Sequence, residues 1–456
     1  MTKDLTGGSP LKVILFFTLP LVLGNLFQQF YALADTIIVG RFCGVSALAS
    51  VGSTGSINYL ILGFVIGICN GFAIPIAQLF GARDYSDLRR HVANAAWVCI
   101  AFSVVLTITT VTLTRPLLVL MQTPEDILDG AVIYIGWIFA SIPFIFLYNM
   151  VASIMRALGD SKTPLYFLIL TSALNIGLDL LFIVPFKMGI LGAALATDIS
   201  QAISGVVSFG FLCRKFEVLH MQKGELAFSK RACTRLMGIG VPMGLQYSVT
   251  AIGTIVVQTA VNGLGAVSIA AVTAANKVSQ LFTCPFDAAG TTMAVYGGQN
   301  YGAMKLDRIH RGVRACVLLM FAYSALGLGV LALFGGKLSL LFLDSAESAA
   351  VRDQIGLLAQ QFLVWNASCY FLLTLVNVLR FLIQGVGFTQ QAVFAGVFET
   401  IARCFVGFAV VRRIGYTAIC LANPAAWLLA DCFLVPIYFH DMHLLQRRFA
   451  QRRAEA

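Results

Sequence analysis

The stretch VILFFTLPLVLGNLFQQFYALADTIIVG, residues 13–40, is apolar over nearly its whole length. A helix that spans a lipid bilayer needs about 20 predominantly apolar residues, so this stretch is long enough to cross one. Similar stretches recur to the end of the chain, and polar breaks divide them into twelve. They lie at residues 13–40, 44–80, 92–114, 129–154, 164–186, 189–213, 236–262, 266–301, 313–336, 353–386, 388–411 and 415–439. The sequence therefore predicts an all-α integral membrane protein with twelve transmembrane helices.

The composition excludes an ordinary soluble domain. Of the 456 residues, 59% are hydrophobic and 11% are charged, whereas soluble domains have about 45–50% apolar and about 25% charged residues. The 11 cysteines are scattered singly without a C-x-x-C pair. That distribution argues against a structural zinc site and against a disulfide scaffold. We expect neither a bound metal nor an organic cofactor.

Lysine and arginine are distributed unevenly between alternate segments outside the spans. Of the 31 basic residues, the count assigns 22 to one set of segments and 7 to the other, and it places Lys277 and Arg403 inside spans. The 22 include Arg314 and Arg380, which lie near the ends of the stretches 313–336 and 353–386. Because cytoplasmic segments carry the excess of positive charge, both termini are predicted to be cytoplasmic. The net charge of +10 therefore indicates topology rather than nucleic-acid binding. We expect a multi-pass protein of the cell inner (plasma) membrane, with no nucleic-acid partner and no obligate protein partner.

The two halves of the sequence resemble each other at an offset of about 222 residues. The matched positions are Pro20 with Pro242, residues 45–49 with 267–271, residues 78–82 with 299–303, Arg156 with Arg380, and Gly189 with Gly415. Each half contains six spans, an even number, so both copies enter the membrane in the same sense. Such a parallel repeat has its pseudo-twofold axis along the membrane normal.

This repeat predicts two six-helix bundles. The N-terminal bundle is residues 1–214, the C-terminal bundle is residues 236–456, and the polar stretch 215–235 is a cytoplasmic linker. Two parallel halves enclose a cleft. This arrangement is typical of a transporter that works by alternating access rather than of a channel with an open pore.

Six acidic residues lie inside spans, where an ionisable side chain costs at least about 2.5–3.5 kcal/mol on insertion scales. They are Asp35, Asp179, Asp198, Asp287, Glu399 and Asp431. Gln28, Tyr31 and Asp35 share one helical face because their spacing is i, i+3 and i+7. No basic residue inside a span of the first half neutralises Asp35, so it can bind and release a proton or bind a sodium ion. The alternative is a structural carboxylate near the outer end of the helix, reaching past Arg41.

A second polar group falls on the fifth and sixth spans. Asn175 and Asp179 are i, i+4 neighbours on the fifth span. Thr197 and Asp198 return to a similar depth on the sixth. With Asp35 these residues form one polar layer in the N-terminal half, although Asp198 can face elsewhere. The alternative is a set of separate hydrogen bonds that pack the helices.

The second half differs from the first. Glu399 and Arg403 are i, i+4 neighbours in the orientation that favours an ion pair, and we interpret them as a structural pair. Asp287 and Asp431 have no identifiable partner in the sequence. Each of them either lines the cleft or neutralises Lys277 or an interfacial charge.

Motifs of known enzyme classes are missing from the sequence. It contains no G-x-x-x-x-G-K-[ST], no H-E-x-x-H and no D-D-x-x-D. The five histidines fall in or near cytoplasmic segments, which argues against a haem pair within the bilayer. The sequence therefore predicts a protein that is not an enzyme, with an intramembrane transferase as a weaker alternative.

Several motifs together resemble the multidrug and toxic compound extrusion (MATE) family, and within it the DinF-like branch. They are DTIIVGR at residues 35–41, RALGDSKTP at residues 156–164, Asn175-x-x-x-Asp179, and the paired Q-x-x-G-A motifs at residues 78–82 and 299–303. The resemblance covers residues 10–440. It implies a V-shaped antiporter that exports amphiphilic, often cationic compounds while protons or sodium ions move inward.

The resemblance also implies roles for individual residues. In that branch the ion-coupling site lies in the N-terminal lobe, and it falls on Gln28, Tyr31, Asp35, Asn175, Asp179 and Thr197. A tyrosine and an asparagine of the fourth helix fall on Tyr134 and Asn149, and with Asp287 these are the candidates for the substrate cleft. The NorM-like branch relies instead on acids in helices 7 and 10, and the corresponding spans here have no acidic residue in their cores.

A related transport function is the main alternative. A flippase for a lipid-linked saccharide would share this architecture, but it would need a strongly cationic cleft for a pyrophosphate. The charge count leaves just Lys277 and Arg403 to the interior of the spans, so the export of small molecules is the preferred prediction. The expected partners are an amphiphilic or cationic small molecule and the lipid bilayer.

Overall fold

The computed structural model describes residues 4–342 and 348–455, and all regular secondary structure in these residues is helical. Sixteen α-helices follow one another along this part of the chain. They are α1 (Pro10–Cys43), α2 (Val45–Ser53), α3 (Gly55–Ala82), α4 (Tyr85–Leu120), α5 (Glu125–Ala140), α6 (Ile142–Ala157), α7 (Lys162–Ile183), α8 (Gly189–Lys215), α9 (Lys230–Asn262), α10 (Ala266–Gly302), α11 (Leu306–Leu340), α12 (Ala349–Ser368), α13 (Tyr370–Gly385), α14 (Thr389–Phe405), α15 (Val411–Ile414) and α16 (Tyr416–Glu455).

Most of these helices are long and apolar enough to cross a membrane. In the described residues, nine stretches qualify alone: α1, α3, α4, α7, α8, α9, α11, α16 and the stretch Thr389–Ile414. Two more qualify as bent pairs, α5 with α6 at 48° and α12 with α13 at 50°. Helix α10 has 37 residues, enough to cross a membrane, but it is not among the stretches that qualify by hydropathy. With α10 as the twelfth segment, the predicted all-α membrane fold is confirmed.

The chain divides into two compact units. The first unit contains residues 4–5 and 19–244, and the second contains residues 6–18 with the described residues from 245 onward. Helices α1 and α9 therefore each contribute residues to both units. The boundary lies inside α9, whereas the sequence-based division is drawn in the polar stretch 215–235.

The internal repeat is visible in the local geometry of each unit. The matched glycines are Gly189, the first residue of α8, and Gly415, which precedes α16, and their φ angles are 59° and 58°. This left-handed conformation is one that a residue without a Cβ adopts at no steric cost. Each unit also contains one bent helix pair, broken at Ser141 in the first unit and at Cys369 in the second. The similar turns and breaks are expected of two copies of one six-span pattern.

Two helices of the first unit meet backbone to backbone. A Cβ added at Gly71 of α3 would lie 2.5 Å from the Cα of Gly240 in α9. One turn away, a Cβ at Gly67 would lie 2.7 Å from the Cα of Gly244. Each helix thus presents two glycines four residues apart, the small-xxx-small pattern that permits close helix packing in membranes.

The polar stretch before α9 is fixed to α4. Glu225, which is 3% exposed, accepts hydrogen bonds from Arg89 Nε at 2.6 Å and Nη2 at 2.8 Å. The Ser86 hydroxyl and the Gln222 backbone N–H also donate to this carboxylate, at 3.0 and 2.8 Å. Asn94 Oδ1 accepts the Ser229 N–H at 2.7 Å. The linker is therefore a docked segment rather than a loose connection.

Glu225→Gln is expected to release this linker at neutral pH. The hydrogen bonds from Arg89 lower the pKa of Glu225 from 4.5 to about 2. A lowered pKa stabilises the docked form above pH 4.5, and this contribution is lost as the pH falls from 4.5 toward 2. Tryptic cleavage at Lys223 should become several-fold faster in the variant. In the wild type, the protection factors of the linker amides, which compare the observed exchange rate with the intrinsic rate at each pH, should fall over the same acidic range.

The exposed acid at Glu217 provides the matched control for this substitution. Glu217→Gln removes the same charge from the same segment without removing a partner of Arg89. Its cleavage rate at Lys223 should equal that of the wild type. Equal rates for the Glu225 variant and the wild type would contradict a role for Glu225 in docking the linker.

Candidate functional site

Two buried carboxyl groups meet in the first unit. Asp35 on α1 is 9% exposed and Asp179 on α7 is 0% exposed, and their side chains lie within hydrogen-bonding range of each other. Neither oxygen of Asp179, nor Oδ1 of Asp35, accepts a hydrogen bond from a described N–H or O–H group. Since an ionised carboxylate can only accept, a hydrogen bond between these two groups requires a proton on one of them.

Polar side chains of three helices surround this pair. Asn175 lies one turn before Asp179 on α7, and its Nδ2 donates to Thr197 Oγ1 of α8 at 3.1 Å. The Tyr31 hydroxyl on α1 is also within hydrogen-bonding range of Thr197. The structure therefore brings together five of the six residues predicted for ion coupling, all except Gln28.

Tyr134 and Asp198 lie at the edge of this site. Tyr134 on α5 packs in a cluster with apolar residues of α1, α7 and α8, and it interacts electrostatically with Asp35, Tyr31 and Asp179. Asp198 is buried on α8 and lies within hydrogen-bonding range of Ser141 at the break between α5 and α6. Ser141 is a neighbour that the sequence spacing did not identify.

Gln28 lines a small cavity of about 100 Å³ between α1, α6 and α7. Asn149, the other fourth-helix residue predicted for the substrate cleft, also lines it, and so do Tyr148 and Arg156. The Asn149 side-chain amide donates to the Ile145 carbonyl one turn earlier at 2.8 Å. The lining thus combines polar side chains of α1 and α6 with apolar ones, such as Leu165 and Leu168 of α7.

The second unit holds a different charged group. Arg403 Nη1 donates to Glu399 Oε2 at 3.3 Å, and both side chains are buried. The other oxygen of Glu399 contacts Arg380 Nη2 on α13. The sequence-based charge count assigns Arg380 to the cytoplasmic segments, whereas in the structure its guanidinium is buried and paired with Glu399. The apolar run on both sides of Arg380 was the signal that could have revealed its position.

The two remaining acids of this unit differ in environment. Asp287, a candidate for the substrate cleft, is exposed on α10. Asp431 is buried on α16, and neither of its oxygens accepts a hydrogen bond from a described residue. Within the described residues, no group of three or more His, Cys, Asp or Glu side chains is arranged to hold a metal ion.

Comparisons with known proteins identify relatives along most of the chain. The MatE family model matches residues 20–181 and 242–409. The probable multidrug resistance protein YoeA of Bacillus subtilis (strain 168) is 30% identical over 362 residues, which cover 78% of both chains. YpnP of the same organism, another probable multidrug resistance protein, is 28% identical over 392 residues and 85% of both chains.

Solved structures share the fold at lower identity. A crystal structure of MATE in complex with MaL6 superposes with a TM-score of 0.90 at 21% identity, covering 98% of this chain and 100% of the other. An outward-facing multidrug resistance MATE family transporter of the MOP superfamily gives 0.88, covering 98% and 99%. The sequence prediction of a transporter rather than an enzyme is thereby confirmed. The chain belongs to the MatE family and is a multi-pass membrane protein of the MATE multidrug efflux transporters.

Proposed function

We propose that this chain is a secondary antiporter that exports amphiphilic, often cationic compounds in exchange for protons, by alternating access. The observation that carries this proposal is the meeting of Asp35 and Asp179 without a donor from a described N–H or O–H group. A shared proton supplies the missing hydrogen. Loss of that proton leaves two adjacent buried carboxylates, an arrangement that repulsion and desolvation both oppose.

Exchange follows if proton and substrate stabilise different conformations. With the proton bound, the Asp35–Asp179 contact holds α1 against α7. Without it, the negative charge disfavours this packing and attracts a cationic substrate. A ligand shifts the equilibrium between two conformations only by its difference in affinity for them. Coupling therefore needs only that the proton favours one conformation and the substrate favours the other. The hydroxyl of Tyr31 and the side chain of Thr197 can rearrange around the carboxyls in each state.

The substrate class is proposed from two sources. The relatives are named as multidrug proteins, and a negative site favours cations. The lipid flippase alternative gains no support from these relatives. From the 22 to 7 distribution of basic residues, we further propose that the protein resides in the inner (plasma) membrane with both termini in the cytoplasm.

Ethidium transport into proteoliposomes tests the coupling ion directly. Purified protein is reconstituted without other proteins, and a proton gradient or a sodium gradient is imposed separately. We expect accumulation that depends on the proton gradient, disappears with a protonophore, and is unchanged when choline replaces sodium. Transport driven by sodium alone would overturn the proton assignment. Transport of labelled lipid-linked saccharide without ethidium transport would instead favour the flippase.

A further inference from the structure

A second buried carboxyl, in the second unit, lies outside the proposed coupling site. Asp431 on α16 is 6% exposed, and no described residue donates a hydrogen bond to either of its oxygens. Arg380 on α13 interacts with it electrostatically without forming an ion pair with it. The Nε of Arg380 also lacks an acceptor. Both helices pack directly on each other, so a buried acid and a buried guanidinium face each other with unused hydrogen-bonding atoms.

Arg380 is shared between two acids of different helices. Its Nη2 contacts Glu399 on α14, which also accepts from Arg403. Arg380 further interacts with Arg403, Asp287 on α10 and Tyr247 on α9. The charged residues of the other helices that pack on α16 lie near the ends of α11 and α12 and on the short α15. Arg380 is therefore the charged side chain that acts on Asp431.

The formal charge of this network depends on Asp431. Among the buried side chains, the guanidinium groups of Arg380 and Arg403 against one ionised Glu399 leave a net positive charge, and an ionised Asp431 cancels it. Asp287 is not in this sum because it is exposed. A buried carboxylate with no hydrogen-bond donor is costly, whereas the protonated acid is much less so. The observed arrangement, with Arg380 on Glu399 and Asp431 unpaired, therefore suits a neutral Asp431.

We propose that Asp431 binds a proton in the transport cycle and that Arg380 moves in response. When the carboxyl O–H bond breaks and the proton passes to water, Asp431 becomes an anion that competes with Glu399 for the Arg380 guanidinium. The network then changes from positive to neutral and no longer repels a cationic substrate. This inference rests on the proposed antiport, and it gives the chain a second proton-binding centre in the unit that lacks Asp35 and Asp179.

Tryptophan fluorescence provides a test that does not require transport. Trp427 lies one helical turn before Asp431 on α16 and is buried. Replacing the other three tryptophans, Trp97, Trp137 and Trp365, by phenylalanine leaves Trp427 as the only indole reporter. Purified protein in lipid nanodiscs is then titrated with acid and base. We expect a single reversible step in Trp427 emission that is unaffected by replacing sodium with choline.

Asp431→Asn should abolish this step, because asparagine has a similar shape and does not titrate. The matched control is Asp441→Asn, which neutralises another buried acid of the same helix and should retain the step. Asp35→Asn should also retain it. Persistence of the step in Asp431→Asn, with a normal gel-filtration profile, would overturn the inference. A sodium-dependent step would overturn the choice of a proton.

Glu399→Gln gives an independent check if Asp431→Asn folds poorly. Without Glu399 the two guanidinium groups favour an ionised Asp431, so the midpoint of the Trp427 step should move to lower pH by about one unit, a tenfold change in proton affinity. An unchanged midpoint would contradict the link through Arg380.

The number of protons exchanged per ethidium in proteoliposomes should fall in Asp431→Asn, and an unchanged ratio would exclude a role in transport. Proton-driven export without any Trp427 step would refute this inference alone, whereas a Trp427 step without proton-driven export would refute the antiport.

Discussion

Replacing Asp35 by asparagine is expected to reduce ethidium export by about 5- to 150-fold, the range that corresponds to a coupling free energy of about 1–3 kcal/mol. Asparagine retains the size of the side chain and its hydrogen bonding, but it cannot accept and release a proton. The variant should therefore fold and insert normally while losing the exchange of proton for substrate. Efflux from whole cells at matched membrane abundance measures the effect. Export at the wild-type rate would refute a coupling role for Asp35.

Asp179 provides a sharper form of the same test. If the two carboxyls share one proton, Asp179→Asn should cause a loss similar to that of Asp35→Asn, and the double variant should be no worse than either. Such non-additivity is the expected result for residues that act as one unit. The control is Asp129→Asn, the same change at an exposed acid of the same unit, which should export normally. Losses that multiply in the double variant would indicate two independent roles.

Most of the fold could be predicted from the sequence because the bilayer fixes the length and polarity of each span. The helix breaks were harder to locate. Pro143, near the start of α6, marks the break after Ser141, since proline is tolerated in the first turn of a helix and not in its interior. The equivalent break at Cys369 has no proline beside it, so the sequence gives no local signal for the 50° bend there.

The candidate site could be predicted only in part, because helical periodicity gives the face of a residue but not its neighbours on other helices. Tyr31 and Asp35 on one face of α1 follow from their spacing. The contact between Asp35 and Asp179 depends on which helices pack together, and here the family resemblance supplied the missing information. Arg380 shows the opposite case. Charge counting treats an arginine near a span end as a loop residue, and only the packing of α13 on α14 pairs it with Glu399.

The second large effect is expected at Gly71, where alanine should destabilise the first unit by about 1–3 kcal/mol or more. The added Cβ would lie 2.5 Å from the Gly240 Cα and 3.1 Å from the Ile239 carbonyl oxygen. Backbone atoms in a helix cannot rotate away as a side chain can, so α3 and α9 would have to separate. Their separation would remove the dispersion contacts that hold membrane helices together. Thermal unfolding in detergent, followed by size-exclusion chromatography, measures the loss.

Gly238→Ala separates this clash from the intrinsic effect of the substitution. Gly238 lies on α9, one of the two helices in this contact, two residues before Gly240, and a Cβ added there meets nothing within 4 Å. Alanine favours a helix over glycine by roughly 0.8–1 kcal/mol, so this control should be as stable as the wild type or more stable. A Gly71→Ala protein as stable as the control would mean that α3 and α9 do not need this close approach. A loss of stability in Gly71→Ala together with a gain in Gly238→Ala would establish that the glycines at the contact of α3 and α9 serve packing rather than flexibility.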